Sequence, residues 1–181
     1  MRRVNSRKPK EDSRATPITP EKMREETFQR AAKLLAAKPR SIAELRERLL
    51  ERPSTTKEVV DTVISRLREY GYLDDDRFAV GYAQWKVKQR PIGRRRLERD
   101  LTMKKVERTV ADAALDQVFE ETPEAELIDR AIEKRIRLRG APKTRPEAKS
   151  LFDHLLRQGF PFDLVSDKVR AASKADLDDA E

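Results

Sequence analysis

Apolar residues recur along this chain at spacings of three and four, the period of a helix with one buried face, and rarely at the alternating spacing of a strand. Phe28, Ala31, Ala32 and Leu35 form one stripe, and Ile42, Leu45 and Leu49 a second. Val59, Val60, Val63, Ile64 and Leu67 form a third, helical in period despite its β-branched side chains. The punctuation agrees with the stripes. Thr19-Pro20-Glu21 places a cap, a first-turn proline and an acid in order, and the helix it opens should run to about Lys38, where Pro39 stops it. Ser41-Ile42-Ala43-Glu44 and Thr55-Thr56-Lys57-Glu58 read as capping boxes, with Pro53 ending the helix between them. Gly71 closes the third helix, because glycine reaches the left-handed conformation of a last turn at little steric cost.

The same order then repeats. Asp74 to Asp76 open a helix on which Phe78, Tyr82 and Trp85 fall at i, i+4 and i+7, an aromatic face expected to pack into the core. Gly81 in that helix predicts the close approach of a neighbouring helix. Aligning Leu97 and Leu101 with Leu45 and Leu49 sets Gly93 over Ser41. Thr122-Pro123-Glu124 repeats the Thr19 start, ahead of a stripe of Leu127, Ile128, Ala131 and Ile132 that ends at Gly140. Thr144-Arg145-Pro146-Glu147 caps a helix burying Leu151, Phe152, Leu155 and Leu156 before Gly159, and Phe162, Val165 and Val169 mark the last helix. Self-similarity at a period of about fifty residues means a tandem array, in which each unit buries its stripe partly against its neighbour. The predicted fold is therefore all-α, three tandem three-helix repeats at 19–73, 74–119 and 120–173 forming an elongated, curved array. A disordered basic arm at 1–18 and a frayed acidic tail at 174–181 flank it.

Composition sharpens the functional side of this picture. With 41% charged and only 6% aromatic residues, one large compact core is disfavoured, and thin units with small interfaces fit better. A net charge of +8 suggests a polyanionic partner or an acidic protein groove. That charge is concentrated. Residues 86–105 hold Lys86, Lys88, Arg90, Arg94, Arg95, Arg96, Arg99, Lys104 and Lys105 against two acids, and residues 134–149 hold Lys134, Arg135, Arg137, Arg139, Lys143, Arg145 and Lys149 against one. Both runs span the end of a first helix, a loop and the start of a second, so in an array they could form one broken basic strip. Such a strip attracts phosphates or rows of carboxylates, with an affinity that falls with salt. The competing reading is that each run is a solvated helix face.

Chemistry for catalysis is missing from the sequence. His154 is the sole histidine, there is no cysteine, and no H-E-x-x-H or glycine-rich phosphate loop occurs. Asp74 to Asp76 are more simply a helix cap than a cation site. These features point to a non-enzymatic binding protein without cofactors. No apolar run approaches the ~20 residues that span a bilayer, and the N-terminus lacks an apolar signal core, so no membrane is expected and the default is cytoplasmic.

The runs SIAELRERLL, REYGYLDDDRFA, RPIGRRRLERDL and LFDHLLRQGF together resemble the RecX family of bacterial regulatory proteins, over about Phe28 to Ala172. GYLDDDRFA at its distance after S-x-x-E-L carries most of the specificity. The resemblance implies three tandem three-helix units and a modulator, usually an inhibitor, of the RecA recombinase. Such a protein would lie in the groove of the RecA filament on single-stranded DNA and impede ATP hydrolysis, filament growth and strand exchange. It would be a monomer when free. The alternative is a helical protein acting directly on single- or double-stranded DNA. The segment LTMKKV after Leu101 lacks the glycine that many relatives carry there.

Overall fold

The computed structural model describes residues 19–178, with side chains described through residue 173; the basic arm at 1–18 and the last residues of the acidic tail lie outside this range. The described residues fold as helices without strands, in three groups. The first is α1 (Pro20–Ala37), α2 (Ile42–Leu50) and α3 (Lys57–Glu69); the second is α4 (Asp75–Gln89), α5 (Arg94–Met103) and α6 (Arg108–Glu121). The third is α7 (Glu124–Arg139), α8 (Arg145–Arg157) and α9 (Phe162–Asp178), so α9 continues into the segment expected to fray. No described helix is long and apolar enough to cross a membrane. Helix pairs that share broad faces lie within a group, and the α4–α6 contact is the most extensive of them. The result is an all-α array of three-helix units in series.

The starts of the helices follow local chemistry. Thr19, Ser41, Thr56, Asp74 and Thr144 each accept a hydrogen bond from a first-turn backbone N–H, which satisfies one of the donors that a helix start leaves open. Of the boxes expected from sequence, however, α2 and α3 show only the single cap, and the cap of α3 is Thr56 rather than Thr55. The reciprocal bond from Glu44 is lost because its carboxylate pairs instead with Lys104 of the second unit. The complete box is at α8, where the Glu147 carboxylate accepts from the Thr144 N–H.

Three second or third helices close in the same way. Gly71 (φ +69°) after α3 and Gly159 (φ +93°) after α8 adopt left-handed backbone, and each is followed by an N–H reaching back five residues, from Tyr72 to the Leu67 carbonyl and from Phe160 to the Leu155 carbonyl. After α5 the same turn is made by Lys105 (φ +57°), with Val106 N–H donating to the Leu101 carbonyl. Lys105 is the one non-glycine residue with left-handed backbone among the described residues. Lys105→Gly is expected to stabilise the fold by about 0.5–1 kcal/mol, since the left-handed penalty of a side chain exceeds glycine's extra chain entropy. A urea midpoint that rises at unchanged slope would show it; a fall would mean that the Lys105–Glu47 ion pair outweighs the backbone term.

The core is divided unequally. Ala31, Leu45, Leu49, Val60, Val63, Ile64, Leu67 and Leu73 form one cluster confined to the first unit and the segment leaving it. A second cluster runs without a break from Ala79 of α4 to Val169 of α9, so the second and third units share a single core. The junction of units one and two is polar: Asp75 Oδ1 accepts from the Ile42 N–H at 2.8 Å, and the Ser41 hydroxyl donates to the Lys104 carbonyl. Burial, assisted by Asp74 and Asp76, pushes the Asp75 carboxyl above its ordinary range, against the Ile42 bond and Arg68. The junction of units two and three is backbone on backbone. Gly93 N–H donates to the Gln158 carbonyl at 2.9 Å and Arg95 N–H to the Gly159 carbonyl at 3.3 Å, while Glu124 accepts from Arg94 N–H at 2.7 Å. Helix α5 has no side-chain cap of its own; the third unit supplies its acceptors.

Two packing expectations are corrected. The buried stripe of α4 is Ala79, Ala83 and Val87, while Phe78 and Tyr82 are half-buried and Trp85 is 54% exposed. A Cβ built on Gly81 would meet nothing within 4 Å, so no helix approaches it. Small residues at 79 and 83 allow α6 to come close on that side, which turns the aromatic face outward. Ala32 and Phe162 are likewise exposed, and Thr27 and Phe160 are buried in addition to the expected stripes.

Candidate polyanion-binding face

The sixteen basic residues selected from sequence fall into three groups in space. The first is internal. Arg94 Nη1 lies 2.7 Å from Asp116, Arg96 Nε 3.3 Å and Lys86 Nζ 3.4 Å from Asp100, and Lys104 Nζ 2.7 Å from Glu44; Lys105 pairs with Glu47. Lys86 also lies 5.3 Å from the ring centre of Tyr82 and 5.7 Å from that of Trp85. Arg94, Lys86, Lys104 and Lys105 tie α5 and the turn after it to their neighbours, Arg96 pairs within α5 itself, and the charge of all five is largely balanced in place. They are thereby removed from the strip that their sequence positions suggested.

The second group comes together. Helix α4 ends at Gln89 with Lys88 and Arg90 exposed, and Pro91 turns the chain so that this end lies along α7. Helix α7 buries Leu127, Ile128, Ala131 and Ile132, which forces Lys134 and Arg137 onto its outer side. A cleft of about 450 Å³ is lined by Lys88, Arg90, Arg130, Lys134 and Arg137, with Glu133 as its one acid among the described residues. An adjoining cleft of about 260 Å³ is lined by Arg90, Lys134, Arg135, Arg139 and His154. Arg90 and Lys134 belong to both. Ends of the two basic runs therefore share one surface, although they lie more than forty residues apart in the chain.

No ion pair among the described residues involves any of these cations. Burial and the neighbouring guanidinium groups both act on the titratable groups of this face. Burial, then Arg139 and Arg157, lower the Arg135 pKa from its ordinary value, and Arg135 keeps only a 3.1 Å hydrogen bond to the Ser150 hydroxyl. Burial, then Arg135, Arg157 and Arg139, push His154 below its ordinary value. An uncompensated positive field of this kind is relieved by an anion.

The third group is dispersed. Arg95 and Arg99 are exposed on α5, and Lys143, Arg145 and Lys149 are exposed around the start of α8; none of them lines either cleft. Sequence reasoning also passed over Arg130, one turn before Lys134 on the same face, and Arg157 and His154, which reach the site from α8. The signal for Arg130 was its spacing of four; those from α8 needed the tertiary contact.

Comparison with known proteins places this architecture. A model of the second three-helix domain of RecX matches residues 74–115. The regulatory protein RecX of Treponema pallidum (strain Nichols) is 38% identical over 110 residues, 61% of this chain and 66% of that protein, just under two thirds of its length. The regulatory protein RecX of Halorhodospira halophila (strain DSM 244 / SL1) is 34% identical over 152 residues, covering 83% of this chain and 88% of that protein. The chain belongs to the RecX family of regulatory proteins. The crystal structure of RecX from Lactobacillus salivarius, at 17% identity, shares the fold with a TM-score of 0.74 over 86% of this chain and 99% of that one. Of the basic face, the matched RecX domain contains Lys88 and Arg90, whereas the α7 side lies outside it.

Proposed function

We propose that this protein is a non-enzymatic regulator that binds the RecA recombinase filament on single-stranded DNA and restrains its ATP hydrolysis, growth and strand exchange, within the cytoplasm. Membership of a regulatory family supports the class of function. The observation that carries the docking mode is the convergence of Lys88, Arg90, Lys134, Arg135, Arg137 and Arg139 with no ion pair to a described carboxylate. A helical filament presents charge at regular intervals, and a series of helical units can meet it with cations held on a fixed scaffold. The binding partner at this face is acidic in character, whether protein carboxylates or DNA phosphates.

Charge reversal of Lys134, Arg137 and Arg139 together tests this reading. Because these three form no ion pairs, the helical circular dichroism should be retained while suppression of DNA-dependent ATP hydrolysis weakens at least about tenfold. Unchanged suppression by the folded variant removes the site. If a naked oligonucleotide binds as tightly as the filament, with the salt slope falling by ~1 for each phosphate contact removed, direct DNA binding replaces filament docking.

His154 gives a second readout because it is the only histidine. In the free protein its pKa lies below the ordinary 6.5. The unfolded chain therefore takes up the proton first, and stability is lost as pH falls from 6.5 toward the folded value. A polyanion on the face should raise the His154 value, seen as a shifted midpoint of its imidazole NMR signals. No shift on saturation would place the anion elsewhere.

A further inference from the structure

The basic face leaves the exposed aromatic residues of α4 unused. Phe78, Tyr82 and Trp85 form one wall of a cleft of about 650 Å³ between the first and second units, with Leu35 and Pro39 opposite and Tyr72 between them. That volume is within the ~300–1,000 Å³ typical of sites that enclose a ligand. The same cleft contains Gly81, whose missing side chain leaves open space, and the chain's single tryptophan.

Its charges are mostly positive. Lys38, Arg40, Arg77 and Lys104 line it against Asp74 alone among the described residues, and Asp74 is engaged in capping α4. Lys104 is balanced by Glu44, but Lys38, Arg40 and Arg77 have no described carboxylate in ion-pair range. The Nε of Arg40 is shut off from solvent without a described acceptor. An occupant should therefore bring both apolar groups and carboxylate-like acceptors.

The ring geometry argues against stacked nucleobases. Phe78 and Tyr82 stack on one another at 5.9 Å and 27°, and the Lys86 ammonium lies over both Tyr82 and Trp85. Each of these rings thus has a face already engaged, whereas ring edges and the open space beside Gly81 suit aliphatic or aromatic side chains.

We propose that this cleft docks an acidic amphipathic helix of a partner protein, its apolar residues against Tyr82, Trp85 and Leu35 and its carboxylates against Lys38, Arg40 and Arg77. The site is separate from the basic face and does not depend on it.

Trp85 reports on occupancy directly. The probe is a synthetic peptide of about fifteen residues with leucines at helical spacing and glutamates elsewhere. It should shift the Trp85 emission to the blue saturably in the full-length protein. A scrambled peptide, a lysine-for-glutamate version and an oligothymidylate serve as competitors. Reversing the charge of Lys38, Arg40 and Arg77 should weaken binding at least about tenfold. Gly81→Leu should block it while keeping the fold, since leucine is a better helix former and its Cβ meets nothing. The variant reversed at Lys134, Arg137 and Arg139 should bind the peptide normally, which separates this cleft from the basic face. The proposal is overturned if the acidic peptide leaves Trp85 unchanged, if the lysine version or the oligothymidylate binds as well, or if Gly81→Leu binds like the parent.

Discussion

Replacing Gly159 with valine should lower the unfolding free energy by about 3–5 kcal/mol and melt the second and third units together. The residue has φ +93°, which a β-branched side chain does not tolerate. Its added Cβ would also lie 2.3 Å from the backbone nitrogen of Arg96 and 2.6 Å from the Arg96 Cβ, contacts that no rotamer change relieves. Moving the turn away is no remedy. The Gln158 carbonyl accepts from the N–H of Gly93, the residue that caps α5, and the Gly159 carbonyl from that of Arg95, and a Cβ on the facing Gly93 would meet the Gly159 carbonyl carbon and oxygen and the Phe160 nitrogen at 2.5 Å. Any retreat therefore uncaps α5 and opens the core that the two units share.

Gly71→Ala is the control. That glycine is also left-handed, at φ +69°, but its Cβ would meet nothing within 4 Å, so only the conformational cost of ~1–2 kcal/mol applies. For a chain of this size each kcal/mol moves the melting midpoint by ~2–4 °C, so the two variants should differ by several degrees. Equal midpoints would show that the close approach of the two glycines contributes nothing to the junction.

These junctions mark the limit of what the sequence made legible. Features set by neighbours in the chain could be read: the stripes of α2, α3 and α7, the caps at Thr19, Asp74 and Thr144, and the stops at Gly71, Gly140 and Gly159. Gly93 was placed correctly over Ser41, yet its reason for being glycine is a turn more than sixty residues away. The aromatic spacing of α4 showed which residues share a face, and could not show that Ala79, Ala83 and Val87 on another face would be the ones covered.

The candidate site divides on the same line. Charge runs identify where cations are dense, whereas their availability depends on acids brought in by tertiary contact. Glu44 and Glu47 come from the first unit, Asp116 from α6 and Asp100 from the run itself. Arg94, Arg95 and Arg96 looked like the centre of the strip, but Arg94 pairs with Asp116 of α6 and Arg96 with Asp100 of its own helix. The unpaired charge that gathers on one surface lies instead where α4 meets α7.

Asp100→Ala is the variant that separates these structural cations from the binding ones. The carboxylate is only 3% exposed, with Arg96 at 3.3 Å on one oxygen and Lys86 at 3.4 Å on the other. The Lys86 contact pairs charge without a well-directed hydrogen bond. Deleting a buried partner costs more than the pair itself contributes, because the remaining charge loses its counterion where water reaches it poorly. Lys86 is 19% exposed and Arg96 41%, so Lys86 bears most of that cost and Arg96 recovers some hydration. A loss of about 2–3 kcal/mol is expected, smaller than for a fully enclosed pair. Adding Lys86→Met should restore much of it, since a well-packed apolar side chain avoids the desolvation that the ammonium suffers. Chemical denaturation of the single and double variants measures both steps. Neither Lys86 nor Arg96 lines the two basic clefts. Filament binding by the folded double variant should therefore match the parent, and a loss there comparable to that of the Lys134, Arg137 and Arg139 reversal would return the docking surface to α5.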